Sequence, residues 1–120
     1  MEEQETLSVP RYFRLGDDHQ LEPATLLDWA VSMETSITHI ASEPAGDLWV
    51  STIFTGLDLG GATTSSPLVF ETMVFDKKPP GGEENMLADR YHTYEQAISG
   101  HQLWCRRAEQ VETIADLEDI

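Results

Sequence analysis

Cysteine is nearly absent from this chain of 120 residues: Cys105 stands alone. An intrachain disulfide is therefore excluded, and the usage points to a reducing compartment. Cations are scarce as well, with 7 Lys and Arg against 22 Asp and Glu and a formal net charge of −15. A surface of that sign repels phosphate, so neither direct nucleic-acid binding nor attachment to an anionic membrane is expected. No apolar run reaches the roughly 20 residues of a membrane helix. The opening residues MEEQE have neither the basic nor the apolar part of a secretion signal, so a cytoplasmic location is expected. Cofactor and nucleophile motifs are missing too. The chain contains no G-x-x-x-x-G-K-[ST], G-x-G-x-x-G, H-E-x-x-H or C-x-x-C, and Ser51, Ser65, Ser66 and Ser99 lack the glycines of a nucleophile elbow. No cofactor and no bound metal are expected.

What is present suffices for one globular domain. Hydrophobic residues make up 40% and charged residues 24%, which is ordinary globular usage. Eight of the 22 acids lie near the ends, Glu2, Glu3 and Glu5 in one segment and Glu109, Glu112, Asp116, Glu118 and Asp119 in the other. Segments 1–10 and 113–120 therefore read as acidic tails around a domain at 11–112. Within it, RYFRL (11–15) reads as a strand ended by Gly16-Asp17-Asp18. Pro23 suits the first turn of a helix running to Glu34, with Leu26, Ala30 and Met33 on one face and Leu27 and Val31 alongside. Strands are predicted at 37–41, 48–55 and 68–75, with a turn at Pro44–Asp47 and loops at 56–66 and 76–85. A short strand at 90–92 precedes a helix that Thr93 caps with Gln96 three residues on. Ala97, His101, Trp104 or Cys105, Ala108 and Val111 give that helix its inner face. The expected fold is a two-layer α+β domain, with an antiparallel sheet of four to five strands and two helices on one face.

Chemistry-bearing residues are few. His101 and Cys105 share a helix face at i, i+4, as helical metal ligands do, but a small thiol packed against a sheet has the same spacing. Glu71 stands alone in the apolar run LVFETMVF, where alternation puts Val69, Glu71, Met73 and Phe75 on one face and Leu68, Phe70, Thr72 and Val74 on the other. A carboxylate there needs a partner, and Arg90 is the nearest basic candidate. A ligand site or small active site would draw on Glu71, Arg90, Thr52 and Asp58 at one end of the sheet. The glycine-bearing loop 56–66 is followed by a strand rather than a helix, which speaks against a phosphate cradle.

Three stretches taken together resemble a group of small proteins of unknown function encoded by bacteriophages and prophages. They are RYFRLGDD (11–18) with the helix LLDWA–MET, then WVSTIFTGLD (49–58) with PLVFETMVF (67–75), then Arg90, Tyr91, Thr93, Glu95, Ala97, Gly100 and His101. The resemblance spans residues 11 to 101. Members commonly carry His after Gly-Leu-Asp, where this chain has Leu59. The group implies a bacterial host cell as the setting and supplies no activity. Combined with the charge, it suggests an anti-defence inhibitor, anti-CRISPR-like, that binds the basic groove of a host defence protein or ribonucleoprotein. Its expected contacts are Asp17, Asp18, Glu83, Glu84, Glu109, Glu112 and Asp116. Two alternatives stand beside it: the small enzyme or ligand binder around Glu71, and a regulatory or structural phage oligomer anchored by Trp29, Trp49 and Trp104. Monomer and homodimer both fit.

Overall fold

The computed structural model describes residues 11–35, 39–58, 67–79 and 84–119. In chain order the elements are β1 (Arg11–Leu15), β2 (Leu21–Ala24), α1 (Leu26–Thr35), β3 (His39–Ala45), β4 (Leu48–Phe54), β5 (Leu57–Asp58), β6 (Phe70–Phe75), β7 (Asn85–Tyr91), α2 (Tyr94–Ala108) and α3 (Ile114–Glu118). The class is α+β and every strand pairing is antiparallel. The strands divide between two sheets, ordered β2-β1-β5 and β3-β4-β6-β7, where one sheet was expected. The helices divide as well: α1 packs on β1 and β2, while α2 lies across β3, β4, β6 and β7.

Gly56 makes the division. It follows β4 at φ +65° and starts β5 in the other sheet. A Cβ there would sit 2.6 Å from the Phe13 carbonyl oxygen and 2.9 Å from Trp29 Nε1. The Phe13 N–H donates to the Gly56 carbonyl at 2.8 Å, and the Trp29 indole donates to the Thr55 carbonyl at 3.0 Å. Only glycine allows the chain to leave one sheet and join the next through so tight a passage.

Both misplaced prolines have one explanation. Pro23 lies inside β2 and Pro44 inside β3, the edge strands of their sheets. An edge strand tolerates the missing N–H. So α1 starts later than Pro23, with Thr25 as its cap: the Asp28 N–H donates to Thr25 Oγ1 at 3.0 Å. The turn after β3 shrinks to Gly46-Asp47, with Gly46 at φ +65°. Strand β7 is longer than predicted, since Asn85, Leu87 and Asp89 alternate onto the exposed side of this edge strand and Met86 and Ala88 onto the half-buried side. The cap of α2 is as expected. Thr93 Oγ1 accepts from the Gln96 N–H, and the Gln96 side chain accepts from the His92 N–H, both at 3.0 Å.

The C-terminal segment is not a tail. Thr113 caps α3 through the Asp116 N–H, and Ile114 and Leu117 enter the core beside Ala45, Leu48, Val50, Val74 and Ala108. The domain thus continues to 119, and two apolar residues hidden among acids account for the misreading. Leu117 is 2% exposed, so Leu117→Ala should lower the unfolding free energy by about 2–5 kcal/mol in a urea titration; a free tail would leave the midpoint unchanged.

Candidate functional site

The covered face of the larger sheet is apolar at both ends and polar in the middle. Leu48, Val50 and Val74 form one cluster with Ala108, and Phe54, Phe70 and Tyr91 form another with Ala97. Between them stand Thr52 and Thr72, opposite each other on β4 and β6 and both fully buried. His101 on α2 lies over them at 3% exposure. The groups form a continuous chain of hydrogen bonds. His101 Nε2 lies 2.8 Å from Glu43 Oε2, so the ring donates there to the carboxylate. Its Nδ1 then accepts from the Thr52 hydroxyl at 2.8 Å. Thr52 accepts from Thr72 at 2.6 Å, and Thr72 accepts from the Tyr91 phenol at 2.9 Å. Every member has a partner, as buried hydroxyls and imidazoles require.

Cys105 is one helical turn beyond His101. One ligand atom each from Glu43, His101 and Cys105 lie within 4.8 Å of one another. Burial pushes the Cys105 thiol up to about 11, with the facing Glu43 carboxylate adding to the shift. At neutral pH the sulfur is therefore a thiol, unsuited to act unaided as a nucleophile. Sequence reasoning paired His101 with Cys105 and missed Glu43. That residue lies 58 positions from its partner, on a strand read as ending at Ala41.

The other predicted site residues stand apart. Glu71 and Arg90 do pair across β6 and β7, with Oε2 and Nε 3.6 Å apart on the face of the sheet opposite α2. Thr52 points to the opposite, helix-covered face, and Asp58 binds Arg11 in the smaller sheet, accepting from Nε at 3.0 Å. These four side chains form no common site. A concavity of about 350 Å³ lies elsewhere, between the β1–β2 turn, α1 and the start of α2, with Asp17, His19, Ser32, His39 and Tyr94 in its wall. His19 adopts φ +64° there and stacks on Tyr94 with ring centroids 3.9 Å apart.

The expected acidic contacts separate into two groups. Register and helix direction bring the β3–β4 turn, the adjoining ends of β6 and β7 and the end of α2 to one end of the domain. Glu84, Glu109, Glu112 and Asp116 are exposed at that end, joined by Asp47 and Asp119. Asp17 and Asp18 lie at the opposite end, and Glu83 is outside the described residues. Lys77, Lys78, Arg106 and Arg107 share the acidic end, where Lys78 lies over the Trp49 ring and Arg107 over the Trp104 ring. Trp29 packs at a tilt against Tyr12 and ties α1 to the end of β4. No helix among the described residues is long and apolar enough to cross a membrane. Comparison with protein-family models, curated proteins and solved structures finds no match.

Two measurements follow from this geometry. A Cβ on Gly100 would lie 2.2 Å from the Tyr91 ring. Helix propensity alone would make Gly100→Ala stabilising by about 1 kcal/mol. The collision reverses the sign, to a loss of about 1–3 kcal/mol in chemical denaturation. Alkylation of Cys105 by iodoacetamide at pH 8 should run on the order of 100-fold slower than for a free thiol. The rate should rise as pH climbs toward 11. Glu43→Gln should speed the reaction at pH 8, because it removes a charge that opposes the thiolate.

Proposed function

We propose that this protein acts by binding: its acidic end docks on the basic, nucleic-acid-binding groove of a host defence complex and inhibits it in an anti-CRISPR-like manner. The observation that carries this reading is the gathering of Glu84, Glu109, Glu112 and Asp116, distant in sequence, onto one end of the fold. Asp116 lies in the first turn of α3, the favourable end of that helix, but Glu109 and Asp119 do not serve stability where they stand. Glu109 is the C-cap of α2 and Asp119 that of α3, and an acid at the negative end of a helix dipole costs about 0.3–1 kcal/mol. Charges kept where they weaken the fold suit a role outside it. Asp47, Glu84, Glu109, Glu112, Asp116 and Asp119 outnumber the four cations that share this end, Lys77, Lys78, Arg106 and Arg107, and the remaining three, Arg11, Arg14 and Arg90, are engaged elsewhere by Asp58, Glu22 and Glu71. Long-range attraction then speeds association with a basic groove, and complementary charge selects against other surfaces. The phage resemblance supplies the setting, and the charge the class of partner.

The test is competition with DNA for purified CRISPR and restriction complexes across a range of salt. Affinity should fall steeply with ionic strength. The combined variant Glu109→Gln, Glu112→Gln, Asp116→Asn should bind about tenfold more weakly or worse, whereas Asp17→Asn, Asp18→Asn should change affinity by no more than about twofold. Glu109→Gln alone should raise stability by about 0.3–1 kcal/mol while lowering affinity. No competition across the panel, or competition indifferent to salt, would overturn the reading.

A further inference from the structure

Nitrogen, oxygen and sulfur donors meet where β3 passes beside α2. His101 and Cys105 are i, i+4 neighbours on the helix, so their side chains share one face. Glu43 reaches them from the sheet, on the inward-facing register of β3. We propose that Glu43, His101 and Cys105 form a binding site for a divalent transition-metal ion of the zinc class.

The donor set selects the metal. Imidazole and thiolate suit zinc and its congeners, whereas magnesium and calcium take oxygen ligands throughout. The geometry is close to what such an ion needs. Bonds of about 2.0–2.3 Å in a tetrahedral site put ligand atoms about 3.5 Å apart. The three atoms already lie within 4.8 Å of one another. Glu43 must swing away from its 2.8 Å contact with His101 Nε2, and its side chain is 54% exposed and free to do so.

The imidazole is already held as a metal ligand is held. A ligating histidine has its other ring nitrogen fixed by a hydrogen bond, and Thr52 Oγ1 lies 2.8 Å from His101 Nδ1. A hydroxyl accepts as readily as it donates. When Nε2 turns its lone pair to the ion, Nδ1–H donates to Thr52, Thr52 and Thr72 reverse their hydrogens in step, and the Tyr91 phenol turns its own hydrogen away and accepts from Thr72. The imidazole stays neutral, and the thiol proton leaves to solvent as sulfur binds. Three protein ligands leave a fourth position for water or an exogenous ligand, the arrangement of an open site rather than a closed structural one. The inference does not depend on the docking reading, since it uses none of the acids at the charged end.

The probe is cobalt(II), added to the full chain after purification in chelator. The expected result is one ion per chain, with thiolate-to-cobalt charge-transfer absorption and the intense visible bands of a four-coordinate ion, displaced by zinc. Cys105→Ser should abolish the charge-transfer absorption. Glu43→Gln should weaken zinc at least about tenfold in competition with a chromogenic chelator. Both substitutions are nearly isosteric, and unfolding of the metal-free variants checks that each is folded. Zinc should raise the melting temperature of the unsubstituted chain and leave that of Cys105→Ser unmoved. Absence of the charge-transfer band overturns the proposal. So does zinc affinity equal in the unsubstituted chain and both variants, which assigns the binding to scattered surface carboxylates.

Discussion

A line of hydrogen bonds through the middle of the core governs how this domain is put together. Glu43, His101, Thr52, Thr72 and Tyr91 each answer the polar group of the next. Apolar packing is tolerant of small slides, because one methyl group replaces another at little cost. A buried hydroxyl or imidazole is not tolerant, since loss of its partner costs about 1–3 kcal/mol. The line therefore sets where α2 lies along the sheet. Moving the helix by one turn would put Ala97 or Cys105 over the threonines and part His101 from Thr52, leaving the Nδ1 of a buried imidazole unanswered. The apolar clusters on either side supply the driving force for burial, and the polar line supplies the register. Gly100 belongs to the same device, because only the missing Cβ lets the Tyr91 phenol reach Thr72.

The second constraint is the passage at Gly56. A β4 that continued straight would extend the larger sheet and leave β1 paired with β2 alone. The positive φ and the close approach of Phe13 and Trp29 turn the chain into β5 instead. That turn makes two sheets of one strand run. It also leaves α1 supported by a narrow sheet, with Leu26, Leu27 and Val31 at 57%, 71% and 50% exposure. The apolar stripe legible in the helix is thus turned outward over much of its width, and Trp29, Ala30 and Met33 carry the packing.

Charge and fold are largely separate matters here. Asp58, Glu22 and Glu71 pair with the arginines nearest them across strands. Asp47, Glu84, Glu109, Glu112, Asp116 and Asp119 gather where strand register and helix direction deliver the chain to one end, while Asp17 and Asp18 stand at the other. Net charge bears on solubility and association rather than on the choice of fold. The charged end and the Glu43–His101–Cys105 cluster are accordingly separate features, one at the surface of the loops and one at the helix–sheet seam.

The sequence by itself determined the class, the β6 alternation, the Thr93 cap and the inner face of α2. Each of these depends on residues within one or two turns or pleats of one another, and local periodicity records it. It also paired Glu71 with Arg90, since both lie in short strands that must be neighbours in a small antiparallel sheet. Tertiary structure alone decided the rest. Edge position made strand residues of Pro23 and Pro44, which local rules assign to turns. Burial made core residues of Ile114 and Leu117 amid acids. Contacts across 58 residues brought Glu43 to His101, and a strand's inward face moved Thr52 away from Glu71 and into the polar line. A one-dimensional pattern says which face a residue takes within its own element. Which element lies against that face follows only when the whole chain satisfies its buried polar groups at once.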